Sequence, residues 1–354
     1  MTKSAIHPPQ LNPTPIFEHF RGSYGSELLT AAVAHFNVFE RLSNAPCDLD
    51  ELRASLGLEP RPAIVLFTAL RAFGLMTKGA DDRFSLTEMA RQHLVPGADF
   101  DVGDYVGLAA NSPGVLEMVE RLKTNRPAGT DDEGQSGAAF IYRDGIKSAM
   151  EQQDLARHFT LALAGRAKNV APFLAEQLSL DGTSKILDVG GGTGIYSIAL
   201  LQKNAGLRAV VLDRPEVLKV AAEMADQYGV ANRLELLAGD MFADELPSDC
   251  DVILLSNILH DWDLPECRTL IQRCTDALAP EGQLVIHDVF LNDELDGPLP
   301  IALYSAALFT LTEGRAYSAA EYRQWLADAS LDVSDEIVPT LIHCGALTGT
   351  KHVV

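Results

Sequence analysis

The segment LDVGGGTG, residues 187–194, constrains the fold of this chain more than any other stretch. It follows a short run rich in Ile, Leu and Val and precedes a helical pattern. Its glycines at 190, 192 and 194 allow the backbone to approach a ligand where a Cβ would collide. Predicted strands of similar length recur around it at 185–190, 208–213, 234–239, 251–256 and 283–290, with helices that include 216–228 and 265–278. This alternation predicts an α/β fold with a mostly parallel sheet covered on both faces, and two strands after residue 331 predict a closing antiparallel hairpin.

Acidic residues follow several of these predicted strands. Asp188 lies inside the glycine segment, and Asp213 ends the next strand 19 residues after Gly194, where a carboxylate can accept both hydroxyls of a ribose. Asp240 and Met241 follow the third strand and offer an adenine ring a carboxylate contact and an apolar face. Ligands of open α/β sheets bind at the carboxyl ends of the strands, so these residues predict a nucleotide-like ligand there. Each acid taken alone is also consistent with a simple strand-end cap.

The identity of this ligand follows from the residues around the glycines. The dinucleotide fingerprint needs Gly or Ala at its third position, but this chain has Ile195 or Ser197 there, depending on whether the count starts at Gly190 or Gly192. An NAD-dependent dehydrogenase is therefore disfavoured. Because Asp188 makes the loop acidic, the pattern favours S-adenosylmethionine, which carries a sulfonium and an ammonium group.

The first hundred residues predict a separate helical module. Four prolines among positions 8–15 indicate an arm, and residues 26–42 predict a helix that is apolar on more than one face. Asp48 is a candidate N-cap and Gly57 a candidate helix stop, and a hairpin is predicted around Asp81. Helix, turn, helix and hairpin together form the outline of a winged helix.

Nucleic acid and membrane partners are disfavoured. The helix at 62–76, which would be the recognition helix, offers Arg71 as its one charged residue, so a module that packs against a partner chain is the better interpretation. The net charge of −21, from 28 basic and 49 acidic residues, argues against anionic surfaces. No apolar run reaches the length of about 18 residues that a membrane-spanning helix needs.

The five cysteines are odd in number and scattered, so they predict neither a disulfide framework nor a metal site. The beginning of the sequence has no apolar signal core, and we therefore expect a reducing, cytoplasmic location without a bound metal. The stretch from residue 126 to 137 predicts a connector or a flap.

His260 is the candidate catalytic residue. It lies in SNILHDWD, just beyond the fourth predicted strand and on the same edge as the glycine segment. A histidine there suits the removal of a proton from a hydroxyl at neutral pH, although a packed histidine next to a helix start is the alternative. Asp261 is a candidate helix cap, and Trp262 could stack on the adenine or close the floor of the pocket. His287 should face away from Asp288 on an alternating strand and is expected to be structural.

The motifs DVGGGTG, VLDRPEV, GDMF and LHDWD, in this order and spacing, resemble the small-molecule O-methyltransferases related to the plant caffeate and flavonoid enzymes. The resemblance covers nearly the whole chain. It implies a winged-helix-like dimerisation domain at 1–112, a Rossmann-like class I methyltransferase domain at 113–354, and a homodimer formed through the first domain. The implied cofactor is S-adenosylmethionine and the implied acceptor is a small molecule.

The resemblance also implies residue roles. His260 would be the base that deprotonates the acceptor hydroxyl. The implied cofactor contacts are Asp188, Gly190, Gly192, Asp213, Arg214, Asp240, Met241, Phe242, Ser256 and Trp262. The implied substrate contacts are His158, Phe159, Asp261 and Tyr304.

Three positions depart from the plant pattern. Ser256 replaces a lysine, and Asp288 stands where the family has a glutamate near the base, one methylene longer. Ala316 occupies the place of a second glutamate, for which Glu313 is the nearby candidate. We therefore expect a methyltransferase for a hydroxyl of an aromatic or polyketide-like molecule. The alternatives are methylation of carbon or nitrogen, and hydroxylation or pericyclic chemistry on the same fold.

Overall fold

The computed structural model describes residues 2–126 and 153–352. The chain forms two compact units. We call Met1–Pro15, Phe140–Phe290 and Ala319–Val354 the sheet unit, and Ile16–Ala139 with Leu291–Ser318 the helical unit. The predicted domains, 1–112 and 113–354, have a single boundary between them. The two units differ from them because each unit consists of more than one chain segment. The predicted connector lies, from residue 127 onward, outside the described residues.

The helices are α1 (Thr14–Thr30), α2 (Val38–Asn44), α3 (Leu49–Leu56), α4 (Pro60–Ala72), α5 (Glu88–His93), α6 (Gly103–Gly107), α7 (Pro113–Thr124), α8 (Gln153–Gln177), α9 (Ile195–Lys203), α10 (Pro215–Tyr228), α11 (Leu264–Ala277), α12 (Leu299–Leu311) and α13 (Ala319–Asp328). The strands are β1 (Met76–Lys78), β2 (Phe84–Leu86), β3 (Lys185–Val189), β4 (Arg208–Asp213), β5 (Leu234–Ala238), β6 (Cys250–Ser256), β7 (Leu278–Leu291), β8 (Tyr317–Ser318), β9 (Leu331–Val333), β10 (Val338–Pro339) and β11 (Cys344–Lys351). No helix within residues 2–126 and 153–352 has the length and apolar character that crossing a membrane requires.

The helical unit contains the predicted winged-helix outline. Asp48 forms a capping box with Glu51 at the start of α3, Gly57 ends that helix at φ 69°, and β1 pairs antiparallel with β2. The single helix predicted for 26–42 is wrong. A π-helical turn at Ala31–His35 follows α1, and Asn37 at φ 50° reverses the backbone before α2 begins.

The core of the helical unit contains residues from both of its chain segments. Val115 and Met118 of α7 and Ala306 and Phe309 of α12 are buried in one apolar cluster with the residues of α1 to α5. Segments far apart in sequence therefore share a single core. Arg121 is 1% exposed, and it donates hydrogen bonds to the backbone carbonyls of Phe309 (2.7 Å) and Thr312 (2.6 Å) at the end of α12.

The sheet unit confirms the predicted α/β class. Its strand order is β10-β11-β7-β6-β3-β4-β5, the strands from β3 to β7 are parallel, and β11 runs antiparallel to β7. The strand order reverses between β3 and β6, and a ligand crevice opens at such a switch point. In the predicted closing hairpin, the first strand is divided into β9 and β10, and both pair antiparallel with β11, the second strand.

The arm at the start of the chain is more ordered than its prolines predict. The backbone N–H of Lys3 donates to the carbonyl of Gln227, and that of Ala5 donates to Oε1 of Gln202 (2.7 Å). Ala5 is 5% exposed, so the first residues pack on α9 and α10. α1 then begins at Thr14, between two of the prolines.

Candidate active site

The glycine segment turns sharply between β3 and α9. Gly190, Gly192 and Gly194 have φ values of 66°, 59° and 68°, a conformation that L side chains rarely adopt. A Cβ on Gly190 would lie 2.6 Å from Cδ1 of Ile258, so a side chain here would have to displace Ile258. The N–H of Gly192 donates to Oδ2 of Asp213 (2.8 Å), which ties the segment to the end of β4.

Two carboxyl groups lie under this turn. Asp188 is fully buried, and its Oδ2 accepts a hydrogen bond from the Ser197 hydroxyl (2.7 Å). Its Oδ1 is a buried acceptor without a hydrogen-bond partner among the described residues. Burial raises the pKa of Asp188 to about 7 and that of Asp213 to about 6. Carboxyl groups shifted in this way gain from a cationic or hydroxyl-bearing ligand that restores their negative charge.

The next predicted residues line the same edge of the sheet. Oδ1 of Asp240 accepts from the N–H of Phe242 (2.8 Å), and its Oδ2 pairs with the Arg214 guanidinium at 3.2 Å. The Phe242 ring meets the Trp262 ring edge to face, with centroids 4.8 Å apart. Sδ of Met241 lies 3.9 Å from the position that a Cβ on Gly190 would take. The carboxyl ends of β3, β4, β5 and β6 therefore bring these residues together.

Ser256 belongs to a buried chain of polar side chains. Its hydroxyl is 2.8 Å from Nδ1 of His287, and Nε2 of His287 is 3.0 Å from the hydroxyl of Thr340. Burial, with Arg166, lowers the pKa of His287 to about 3, so this imidazole is neutral; its expected structural role stays a prediction. The predicted cofactor contact of Ser256 stays a prediction.

His260 and Asp288 form a buried pair. The short 3₁₀ turn Leu259–Asp261 after β6 presents His260, and β7 presents Asp288. Nδ1 of His260 is 2.5 Å from Oδ1 of Asp288, and the two residues are 3% and 0% exposed. A carboxylate only accepts, so Nδ1 carries the proton and Nε2 keeps its lone pair. Nε2 lies 3.7 Å from Oδ1 of Asp261.

The charges around His260 favour its protonated form. Burial alone lowers the pKa of His260, and Arg166 lowers it further. The carboxylates of Asp288 and Asp261 and the hydrogen bond to Asp288 outweigh these effects, and the net pKa is raised. Burial also raises the pKa of Asp261 to about 7. The pair can therefore take up a proton at Nε2 and stabilise the imidazolium that results.

Two residues of this site were missed by the sequence analysis. The hydroxyl of Tyr322 on α13 donates to Oδ2 of Asp288 (3.2 Å). On α8, Arg166 donates to Oδ1 of Asn257 (2.7 Å) and contacts Sγ of Cys344 (2.8 Å). Asn257 has φ 56° directly after β6, so the arginine holds a left-handed residue three positions before His260. An asparagine directly after a buried strand was the available signal for the contact with Arg166. A tyrosine within the helical pattern of α13 gave no such signal.

Comparison with known proteins decides the family. The sequence profile of the O-methyltransferase domain matches residues 133–331, more than half of the chain. The chain belongs to the O-methyltransferase family. It is an S-adenosylmethionine-dependent methyltransferase.

Three relatives illustrate the likeness. The 3-hydroxy-5-methyl-1-naphthoate 3-O-methyltransferase of Streptomyces sahachiroi is 34% identical over 92% of this chain and 91% of its own. The L-tyrosine C(3)-methyltransferase of Streptomyces lavendulae is 30% identical over 88% of this chain and 84% of its own. The crystal structure of an O-methyltransferase family 2 protein from Planctomyces limnophilus in complex with apigenin has a TM-score of 0.89 and 47% identity, and covers 99% of both chains.

The residues of this methyltransferase fit S-adenosylmethionine. The unpartnered Oδ1 of Asp188 is a buried acceptor below a turn that excludes side chains, and such a position suits the donor groups of a cation. The acids at the ends of β3, β4 and β5 add negative charge along the same edge. Among the described residues, no group of three or more His, Cys, Asp or Glu side chains could hold a metal ion.

The remaining predicted residues are on α8 of the sheet unit and in the helical unit. His158 is exposed and Phe159 is half-buried on α8 of the sheet unit, with their rings 5.6 Å apart. Tyr304 on α12 and Glu313 after it belong to the helical unit, so neither lies within the unit that carries His260. The Arg21 guanidinium lies over the Tyr304 ring, 3.6 Å from its centroid.

Proposed function

We propose that this enzyme methylates a phenolic hydroxyl of a small aromatic or polyketide-like molecule, with His260 as the general base. The observation that carries the proposal is the buried His260–Asp288 pair, at 2.5 Å, on the sheet edge that also holds the glycine turn. Aromatic acceptors are favoured because the Streptomyces sahachiroi relative is named for a hydroxynaphthoate and the Planctomyces limnophilus protein was crystallised with apigenin.

The chain's own residues do three things in this mechanism. Nε2 of His260 takes the proton of the acceptor hydroxyl, and Asp288 stabilises the imidazolium through Nδ1–H. The glycine turn and the acids hold the cofactor through Asp188, Gly190, Gly192, Asp213, Arg214, Asp240, Met241, Phe242 and Trp262. S-adenosylmethionine, when bound, supplies a methyl group activated by a sulfonium. The remaining task of the protein is alignment of the acceptor with the cofactor, which removes much of the entropic cost of the reaction.

Replacement of His260 tests the proposal. His260→Gln keeps a polar side chain of similar size but removes the base, so we expect kcat to fall by about 10²- to 10⁴-fold. The Kd for S-adenosylmethionine, measured by calorimetry, should stay near that of the wild type. A variant with the full rate would show that another group or alignment alone carries the reaction. Glu313→Gln, assayed in parallel, tests the second carboxylate that the family resemblance implies.

A second candidate function is methylation of an aromatic carbon. The tyrosine C(3)-methyltransferase relative favours it, because that protein is named for transfer to a ring carbon. The same base serves both reactions, since a phenolate is nucleophilic at oxygen and at the ortho carbon. Carbon NMR of the product formed with a ¹³C-labelled methyl donor distinguishes a methoxy group from a ring methyl. Formation of S-adenosylhomocysteine separates both from chemistry without methyl transfer.

The homodimer is proposed from the surface of the helical unit. Ile16 and Phe20, one turn apart on α1, are 70% and 75% exposed. Tyr105 and Leu108, in and directly after α6, are 78% and 81% exposed. Large apolar side chains with such exposure are typical of an association surface. Sedimentation of the wild type and of Ile16→Glu/Phe20→Glu tests this; a wild-type monomer would contradict it. The cytoplasmic location stays a prediction from the cysteine pattern.

A further inference from the structure

We infer that Tyr322 is a positioning residue of this enzyme: its hydroxyl fixes the Asp288 carboxylate that orients His260. The inference rests on the proposed role of His260 as the base. The Tyr322 hydroxyl donates to Oδ2 of Asp288, and its effect on the imidazole passes through that carboxylate.

The ring of Tyr322 is held on two sides. Tyr322 is 0% exposed on α13, and its ring meets Phe290 and Trp325 edge to face, with centroids 5.4 Å and 5.3 Å away. The ring therefore has little freedom to move. This arrangement gives Asp288 a rigid hydrogen-bond donor instead of a mobile one.

Asp288 uses both of its oxygens. Oδ1 accepts from Nδ1 of His260 (2.5 Å) and from the N–H of Val289 (2.7 Å), and Oδ2 accepts from Tyr322 (3.2 Å). A fully buried carboxylate is stable only when donors compensate for its lost hydration. Donors on both oxygens also fix the rotation of the carboxylate plane, and with it the direction of the imidazole. Without the hydroxyl, Oδ2 loses its fixed donor and the plane can turn.

The Tyr322 hydroxyl also weakens the electrostatic effect of the Asp288 carboxylate on His260. The charged groups that act on the imidazole are Asp288, Asp261 and Arg166. A hydrogen bond from Tyr322 spreads the negative charge of Asp288, so its removal strengthens the attraction between that carboxylate and the imidazolium. We therefore expect the pKa of His260 to increase when the hydroxyl is absent. The base is then blocked by a proton up to a higher pH.

Tyr322→Phe removes the hydroxyl and keeps the ring. We expect kcat to fall about tenfold at its pH optimum, the ratio that corresponds to about 1.4 kcal/mol. The acidic limb of kcat/KM should move to higher pH, while the Kd for S-adenosylmethionine remains unchanged. Tyr228→Phe is the matched control, because Tyr228 is a second buried tyrosine, 6% exposed at the end of α10. An unchanged kcat and pH profile in Tyr322→Phe would overturn the inference.

The double variant separates positioning from folding. If Tyr322 acts through Asp288, the effect of Tyr322→Phe on kcat should largely disappear in an Asp288→Ala background, which leaves no side-chain group for the hydroxyl to fix. An equal loss in both backgrounds would indicate a structural role and overturn the inference. Failure of the proposed function is distinguishable: His260→Gln would then retain full activity. An inactive His260→Gln with a normal Tyr322→Phe would refute the positioning role alone.

Discussion

The hydrogen bonds around Asp288 determine how the amide of an asparagine would be oriented in Asp288→Asn. Oδ1 accepts two N–H groups, from His260 and Val289, whereas Oδ2 accepts one hydroxyl, from Tyr322. An asparagine has one oxygen and one NH₂ group. The oxygen should occupy the Oδ1 position, because an NH₂ group there would face two donors. The NH₂ group then faces the Tyr322 hydroxyl, which can accept.

This orientation keeps His260 in its active tautomer. Nδ1–H still donates to an oxygen, and Nε2 remains the acceptor. The variant loses only the charge of Asp288, and a hydrogen bond to a charged group contributes about 1.5–3 kcal/mol. We therefore expect kcat to fall by about 10- to 150-fold. The opposite orientation would invert the tautomer and cost about 10⁴-fold, the loss that the corresponding exchange causes in serine proteases.

The pH profile provides a second measurement of the same variant. Burial lowers the pKa of His260, and the carboxylate of Asp288 is the largest opposing influence. When that charge is removed, the acidic limb of kcat/KM should move to lower pH, opposite to the shift expected for Tyr322→Phe. Single-turnover assays with labelled S-adenosylmethionine would measure both quantities.

Asp251→Asn serves as the matched control. Asp251 accepts hydrogen bonds from the N–H of Ser184 (2.7 Å) and of Lys185 (3.0 Å) at the amino end of the sheet, so its exchange should lower stability and leave kcat of the folded enzyme unchanged. A loss near 10⁴-fold in Asp288→Asn would refute the predicted amide orientation. A loss of less than about threefold would refute the role of Asp288 itself.

Three further predictions concern the cofactor edge and the helical unit. The pKa of Asp188, about 7, implies that binding of a cation displaces a proton, so the Kd for S-adenosylmethionine should increase as the pH falls below about 7, by up to tenfold per unit. Calorimetry in two buffers of different ionisation enthalpy would detect this proton release. If no proton is released between pH 5.5 and 7.5, or if Asp188→Asn still releases one, the proton does not come from Asp188. Gly190→Ala should lower stability by about 1–2 kcal/mol because of the left-handed backbone at this position. It should also weaken cofactor binding by at least about tenfold through the clash with Ile258. Gly182→Ala is the control: Gly182 has φ 78° and open space around it, so this variant should lose stability without weaker cofactor binding. Arg121→Met removes a donor from the buried carbonyls of Phe309 and Thr312 at the end of α12, of which Thr312 also accepts from Arg61, and should lower the free energy of unfolding by about 1–3 kcal/mol in urea; a change below about 0.5 kcal/mol would indicate that other donors replace the guanidinium.

The sheet unit was predictable because its signals are local. The glycine turn, the acids after β4 and β5, and His260 after β6 each follow a buried apolar strand, and the carboxyl ends of parallel strands share one edge. Strand and helix limits agree within a few residues, with one exception: β7 begins at Leu278, five residues before the predicted strand.

The parts that sequence reasoning missed depend on distant contacts. Tyr322 forms a hydrogen bond with Asp288, 34 residues away in sequence. Arg166 forms one with Asn257, 91 residues away. Neither pair leaves a periodic pattern, because a single hydrogen bond needs only one residue on each element. The break between α1 and α2 was missed for another reason: apolar side chains continue through it, and only the conformation of Asn37 turns the backbone.

The position of β11 has a consequence for synthesis of the protein. This strand lies inside the sheet, because its residues Cys344–Thr350 pair with Gln283–Val289 of β7 on one side and β10 pairs with it on the other. During translation, Gln283–Val289 of β7 leave the ribosome more than fifty residues before β11, the strand that pairs with them, emerges. Loss of β11 by nonsense mutation or proteolysis would expose that edge next to Asp288, and aggregation would be expected before any loss of catalysis could be measured.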